Sequence, residues 1–280
     1  MADITRSSEW LDETARMPNL RGLSPRARTA LSAHWSRLAQ MEHASIAAFA
    51  RFNLQLLSLG APASLIDACT RAMADETAHS RLCFQMASHY GGAPLGPGPL
   101  DIGQCLNATS RSEILKLVLL EGCLGETSAA LEAAEAAAIA TDSAVKSAFA
   151  RIARDEQRHA ELAFRFLSWA LAQSPEAVRI ELALEAERRL QQFERALSPA
   201  PRTTDLSQAE LSAHGCLSAD ALDQIHRHAA RGVVAPLLSA LFSAHSAAAS
   251  ASLARSRSRS STRAEPGELA NGERDHEYEQ

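Results

Sequence analysis

The pattern Asp-Glu-x-x-His occurs twice in this chain, once within MADETAHSRL and once within IARDEQRHAEL. Residues three apart lie on the same face of an α-helix, so each copy places a glutamate beside a histidine. The two pairs are Glu76 with His79 and Glu156 with His159. Any fold of this chain therefore has to provide an environment for two similar pairs of a glutamate and a histidine.

Both pairs lie on faces of their helices that are predicted to be buried. The residues seven positions before and after each glutamate are small or apolar: Cys69, Cys83, Phe149 and Ala163. An isolated carboxylate in a protein core is strongly unfavourable, and coordination to a metal is one of the few ways to offset that cost. The repeated pattern therefore indicates a metal site.

Two further glutamates interrupt apolar stripes in the same way. Glu42, in LAQMEHASIAAFARF, is in register with aromatic and aliphatic residues, and so is Glu121, in LVLLEGCLGETSAAL. Glu42 precedes Glu76 by 34 residues, and Glu121 precedes Glu156 by 35. The near-equal spacing predicts that one helical hairpin repeats the other.

Alanine-rich segments with apolar residues at three- and four-residue spacing predict an all-α chain with almost no strand. Glycine and proline positions place four long helices at about 25–59, 62–91, 110–140 and 141–173, with a long crossover between the second and third. The predicted division is an N-terminal extension (1–24), a four-helix bundle (25–173), accessory helices that pack on the bundle (174–245) and a disordered low-complexity tail (246–280).

Composition narrows the classes of partner. A net charge of −5 and a pI near 6.1 give no reason to expect nucleic-acid binding, and an Arg-Ser run in the tail is interpreted as solvated rather than as an RNA or protein contact. No apolar run is long enough for a membrane span, and the first residues lack a signal-peptide core, so we expect a cytoplasmic protein without a membrane partner. The five cysteines lack Cys-x-x-Cys spacing and are expected to be reduced thiols.

Four glutamates and two histidines from four helices match the ligand set of two-metal carboxylate bundles. On these residues, the stretch from about Leu31 to Ala172 resembles the ferritin-like di-iron carboxylate superfamily, which includes bacterioferritins, rubrerythrins and di-iron oxygenases. The resemblance implies a ferritin-like four-helix bundle that holds two iron ions, with an iron–manganese or dimanganese pair as alternatives. The implied ligands are Glu42, Glu76, His79, Glu121, Glu156 and His159, of which Glu76 and Glu156 would bridge the metals.

Asp75 and Asp155 each precede a motif glutamate. A ligating imidazole usually needs an acceptor for its other ring nitrogen, and an aspartate can supply one. The resemblance implies that the bonds cross between helices, from His159 to Asp75 and from His79 to Asp155.

The third helix offers a second candidate, Glu126, five residues after Glu121. The position of the following turn favours Glu126, whereas regular α-helical geometry rotates it by about 140° from Glu121 and off the apolar stripe. A π-bulge would bring both inward, and Gly122 and Gly125 ease such a distortion. We predict Glu121 as the ligand and Glu126 as an additional ligand or a catalytic proton relay.

The leading functional hypothesis is an enzyme: a di-iron oxidase or oxygenase that activates O₂ and acts on an unidentified small organic substrate. Because the sequence has no rubredoxin-like Cys-x-x-Cys pair, a separate protein would donate electrons. The alternatives are a ferroxidase or iron-handling protein and a non-catalytic, metal-stabilised interaction module. The helices predicted after Ser174 are difficult to fit into a storage cage, so a monomer or dimer is expected.

Overall fold

A computed structural model describes residues 1–11, 14–103, 105–196 and 208–245. The prediction of an all-α chain is confirmed for these residues. Their only strands are β1 (Ile4–Thr5) and β2 (Gly96–Pro97), which pair antiparallel. The tail predicted to be disordered, 246–280, lies outside the described residues.

The first hairpin consists of α1 (Pro25–Ser58) and α2 (Ala63–Gly91). Ser24 caps α1 by accepting a hydrogen bond from the backbone N–H of Ala27, and a proline occupies the first helical position, as the sequence predicts. Gly60 has a positive φ of 67°, which the tight connection to α2 requires. The two helices consequently pack along their lengths.

The second hairpin consists of α3 and α4 (Ser143–Ala172). The α3 helix has three successive parts: an α-helical Arg111–Leu117, a π-helical Val118–Glu126 and an α-helical Thr127–Ile139. Asp142 caps α4 by accepting from two backbone N–H groups. Pairs α1/α2 and α3/α4, together with contacts between α2 and α4, bring the four long helices around a shared interior.

Three further helices follow within residues 174–196 and 208–245. They are α5 (Glu176–Ala196), the short α6 (Gln208–Ala213) and α7, which begins with Ala219–His228, continues through a π-helical Ala229–Val234 and ends with residues 235–245. Contacts with α3 hold both α5 and α7. The sequence does not predict α6, whose Ala213 carbonyl accepts hydrogen bonds from the turn before α4.

The interior contains two apolar clusters separated by a polar layer. One cluster includes Phe49, Ala72 and Leu162, and the other includes Ala39, Cys83 and Ile152. Along α1, α2 and α4, the motif residues lie in sequence between members of the two clusters. This layer of buried charge is the candidate functional site.

The length and composition of the helices bear on whether any of them could span a membrane. Across the described parts of the chain, none combines the length and the apolar composition that crossing a bilayer requires.

Candidate metal centre

The polar layer contains two overlapping groups of side chains that could each hold a metal ion. Within each group, one ligand atom per residue lies within 4.8 Å of all the others. The first group is Glu42, Glu76, His79 and Glu156, and the second is Glu76, Glu126, Glu156 and His159. Glu76 and Glu156 belong to both groups, and their role as bridging ligands stays a prediction.

The central side chains are almost completely withdrawn from water. The exposed fraction is 1% for Glu76, 0% for His79, 3% for Glu156 and 2% for His159. Ionised groups at such burial require close partners of opposite charge or a bound cation. The predicted convergence of these four residues in the interior is confirmed.

Glu156 lies between the two histidines. Its Oε1 is 3.3 Å from His79 Nδ1, and its Oε2 is 3.2 Å from His159 Nδ1. The remaining carboxylates divide between the rings: Glu42 Oε2 is 3.4 Å from His79 Nδ1, and Glu76 Oε1 is 2.9 Å from His159 Nδ1. Both Nδ1 atoms therefore face the carboxylates.

The opposite nitrogen of each histidine faces an aspartate, and the bonds cross between helices as predicted. His79 Nε2 lies 2.9 Å from Asp155 Oδ2, and His159 Nε2 lies 3.4 Å from Asp75 Oδ2. A carboxylate accepts, so each Nε2 carries the proton and donates it. This arrangement directs each Nδ1 into the cluster, where it presents a lone pair once the ring is neutral.

Arg158 joins the two aspartates, a role that the sequence interpretation missed. Its Nη2 donates to Asp75 Oδ2 over 3.0 Å, and its Nη1 lies 2.8 Å from Asp155 Oδ1. Although burial raises the pKa of Asp155, its hydrogen bonds with His79 and Arg158 lower that pKa overall. The sequence signal that could have identified Arg158 is its position directly before the motif histidine His159.

The prediction that Glu121 enters the cluster is wrong in this structure, and Glu126 takes its place. Glu126 Oε2 is 3.9 Å from His159 Nδ1, whereas Glu121 forms an ion pair with Arg51 of α1, and its side chain is 43% exposed. The wider repeat of the π-helical turn explains why Glu126 faces the cluster. The expectation that such a turn would bring both glutamates inward is not met, because Glu121 pairs with Arg51. The regular α-helical phase used for the prediction does not apply there.

The carboxylates strongly influence one another's pKa values. Burial, together with the nearby charge of Glu156, raises the pKa values of Glu76 and Glu126 well above their usual range. Burial opposes protonation of His79, but the nearby carboxylates of Glu156 and Glu42 outweigh that effect and raise its pKa to about 11. Protons thus balance part of the buried negative charge, a role that a cation can take over.

Two buried atoms provide a direct test of whether a cation fits. Among the described residues, Glu76 Oε1 and His79 Nδ1 have no hydrogen-bond partner, although each lies near groups of opposite charge. Both atoms are of types that coordinate metals, and both belong to the first group of potential ligands. The donor set therefore fits a bound cation.

A cleft leads to the second half of the cluster between α1, the π-helical turn and α4. It holds about 420 Å³ of space between atoms, part of which is open to solvent, and its walls are mainly apolar. Glu126 and His159 line it, and so do Arg51 and Glu121. The sequence interpretation missed Arg51, which appears as an isolated cation within the apolar segment FARF.

Two neighbours behave as core residues. Burial and the charges of Glu42, Glu76 and Glu156 raise the pKa of Cys83, so its thiolate is strongly disfavoured. His43 packs edge-on against Trp10 at a centroid distance of 5.0 Å and lies outside both groups of potential ligands. All five cysteines are free thiols, as predicted.

The site is thus a buried cluster of glutamates and histidines, supported by aspartates and reached by a cleft. The distances establish that these side chains could hold a metal ion. The resemblance to the ferritin-like superfamily stays a prediction. No protein-family model, curated protein or solved structure matches this chain.

Proposed function

We propose that the cluster binds two iron ions and that the protein is an O₂-activating oxidase or oxygenase built on a ferritin-like four-helix bundle. The observation that carries this proposal is the pair of overlapping ligand groups that share Glu76 and Glu156. Two shared carboxylates suit two cations held side by side, each with one histidine. The organic substrate is a small molecule of unidentified structure.

The chemistry of the donors supports iron over softer metals. Carboxylate oxygens with imidazole nitrogens suit iron or manganese, and neither ligand group contains a cysteine. When bound, a pair of iron(II) ions supplies electrons for the reduction of O₂. Because the sequence has no Cys-x-x-Cys pair, we infer that a separate protein returns the electrons.

The chain's own residues orient the ligands before any metal binds. Asp155 and Asp75 accept from the histidine Nε2 atoms, so the Nδ1 atoms are directed inward. Arg158 holds both aspartates and supports their ionised forms. Phe49 contacts the ring of His159 edge-on at 5.0 Å and excludes water from that side.

Glu126 has a second role in the proposal because it also lines the cleft. Its side chain is 16% exposed, compared with 3% for Glu156. A carboxyl group between the buried cluster and the cleft can accept a proton from one side and release it to the other. We assign Glu126 as a ligand that also relays protons.

Iron as the substrate, as in a ferroxidase, is the less favoured role for this cleft. Its walls are mainly apolar, and apolar walls offer few ligands to a hydrated cation on its way to the cluster. The proposal therefore keeps iron as a resident cofactor and assigns the cleft to an organic molecule. A monomer or dimer rather than a cage remains part of this proposal.

The decisive test begins with elemental analysis of protein purified after iron-replete expression. We expect a ratio approaching two iron ions per chain, and a comparable ratio of manganese would instead identify one of the alternative metal pairs. Glu156→Gln should lose most of the metal, whereas the exposed Glu135→Gln serves as the matched control and should retain it. A metal content near zero in the parent protein would refute the proposal.

Oxygen consumption then separates the functions. The reduced, iron-loaded protein should consume O₂, and a non-catalytic module should consume none. If O₂ uptake increases in proportion to added free iron(II) over many equivalents, iron is the substrate and the ferroxidase function is supported. Light scattering on the same sample measures its size and would identify a cage.

A further inference from the structure

The cleft beside the cluster has different chemistry at its two ends. Glu126 and His159 lie at the inner end, and Arg51 and Glu121 form an ion pair within the same lining. Between these groups the walls are apolar and include Phe49, Phe52 and Leu162 of α1 and α4. A molecule that fills this cleft meets an apolar surface and one strong cation.

The ion pair leaves part of the guanidinium unused. Glu121 contacts Arg51 through Nη2, and Arg51 Nε is buried without a hydrogen-bond partner in the part of the chain that the structure describes. A carboxylate that approaches the Nε/Nη2 edge can accept two parallel hydrogen bonds, which is the preferred geometry for arginine. Glu121 therefore accepts a hydrogen bond from Nη2 of Arg51 and leaves the Nε donor unused.

The two members of the pair also differ in exposure. The side chain of Arg51 is 12% exposed, whereas that of Glu121 is 43% exposed. A largely buried guanidinium needs an anionic partner, but a half-exposed carboxylate can return to water at little cost. Exchange of Glu121 for another carboxylate would keep the buried charge paired.

We propose that this cleft binds a small monocarboxylate with an apolar body, that Arg51 anchors its carboxylate, and that Glu121 holds the place of that carboxylate in the free protein. This inference rests on the proposed function, because it identifies the substrate class of the same site. The apolar walls select against small inorganic anions. The tail of the ligand lies toward Glu126 and His159.

The probe for this cleft has to combine one carboxylate with a short apolar chain. Arg51 supplies the cation, and Phe49, Phe52 and Leu162 supply the apolar wall. Hexanoate has both features and is the probe, and hexanamide is its uncharged control.

The test measures binding of hexanoate to the full-length protein by calorimetry, before and after metal loading. Arg51→Lys keeps the charge but loses the bidentate edge and should weaken binding about tenfold, and Arg51→Gln should weaken it further. Glu121→Gln removes the competing carboxylate and should strengthen binding severalfold. Hexanamide should bind more weakly than hexanoate, and Arg188→Gln on the exposed face of α5 should have no effect.

The substitutions Arg51→Lys and Glu121→Gln should change the affinity for hexanoate in opposite directions. This difference distinguishes an arginine that anchors the ligand from one that only forms a structural ion pair. If Arg51 and Glu121 only stabilise the fold, both substitutions should weaken binding and lower the melting temperature together. Equal binding of hexanoate to the parent and to Arg51→Lys, with both variants folded by circular dichroism, would overturn the inference. Arg51-dependent binding by a protein that takes up no metal would support the cleft and refute the proposed di-iron function.

Discussion

His79 on α2 donates through Nε2 to Asp155 on α4 over 2.9 Å, so the orientation of one predicted metal ligand depends on a residue from the other hairpin. Asp155→Asn should weaken metal binding by about 10- to 100-fold because an asparagine can present its NH₂ group and favour the wrong tautomer. Competition with a chelator measures the affinity. Asp67→Asn, at an exposed position on α2, is the control.

An unchanged affinity in Asp155→Asn, with full affinity in the control, would mean that the ring of His79 is oriented by packing alone. Arg158→Gln offers an independent check because Arg158 contacts both Asp75 and Asp155. We expect Arg158→Gln to weaken metal binding as well, but less than Asp155→Asn does, since both aspartates remain in place.

A second prediction concerns the protons held in the cluster. The pKa of His79 is raised to about 11, and burial with neighbouring negative charge raises the pKa of Glu76 and of Glu126. Raised pKa values mean that these groups hold protons to higher pH than usual, and a metal ion displaces such protons when it binds. Metal addition should acidify a weakly buffered solution, and the apparent affinity should rise with pH.

A pH indicator in an anaerobic titration measures this release. The same additions to Glu156→Gln, which lacks a shared ligand, provide the baseline. Binding of metal without acidification above that baseline would show that the cluster is already deprotonated.

The five interior residues that the sequence predicts correctly share one property. Glu42, Glu76, His79, Glu156 and His159 lie on regular α-helices, where a step of seven residues returns to nearly the same face. On such helices, apolar residues seven positions before or after a glutamate or histidine correctly indicate that it lies on the buried face.

The incorrect assignment of Glu121 has a specific cause. Val118–Glu126 is π-helical, and no local periodicity in VLLEGCLGE signals the changed phase. The position of the turn between α3 and α4 did favour Glu126. In a hairpin, residues at equal distances from the turn lie opposite each other whatever the helix type, and Glu126 and Glu156 are at nearly equal distances. The pairing of β1 with β2 and the docking of α6 were equally inaccessible, since both join distant segments without a repeating pattern.

The third prediction tests how α7 is held against α3. His226 pairs with Glu132, and this hydrogen bond raises the pKa of His226 although burial acts in the opposite direction. A raised folded-state pKa means that the stabilisation is fully present below the unfolded value of about 6.5 and is lost as the pH rises through the folded value. The pair should therefore contribute about 1 kcal/mol at pH 6 and little at pH 9.

Denaturant unfolding of the parent and of His226→Gln at both pH values measures this difference. His228→Gln, at an exposed position two residues later, should show no such dependence. An equal loss of stability at pH 6 and pH 9 would assign the effect to packing rather than to charge.

The last prediction uses the two glycines of the π-helical turn. A Cβ at Gly122 would lie 2.5 Å from Ala163 Cβ on α4, whereas at Gly125 the nearest atom would be the Leu120 carbonyl oxygen at 3.5 Å. Gly122→Ala should thus push α3 away from α4 and cost about 1–3 kcal/mol of stability. Gly125→Ala meets no such obstacle and should be neutral or slightly stabilising, because alanine is the better helix former.

The same pair also tests the link between this turn and the cluster. Glu126 reaches His159 from the end of the turn, so a shift of α3 relative to α4 should weaken metal binding in Gly122→Ala as well as stability. Thermal unfolding and chelator competition on both variants provide the two measurements. If Gly122→Ala lowers stability but leaves the metal affinity equal to that of Gly125→Ala, the position of Glu126 is not set by this helix contact, and its assignment as a ligand would lose its main geometric support.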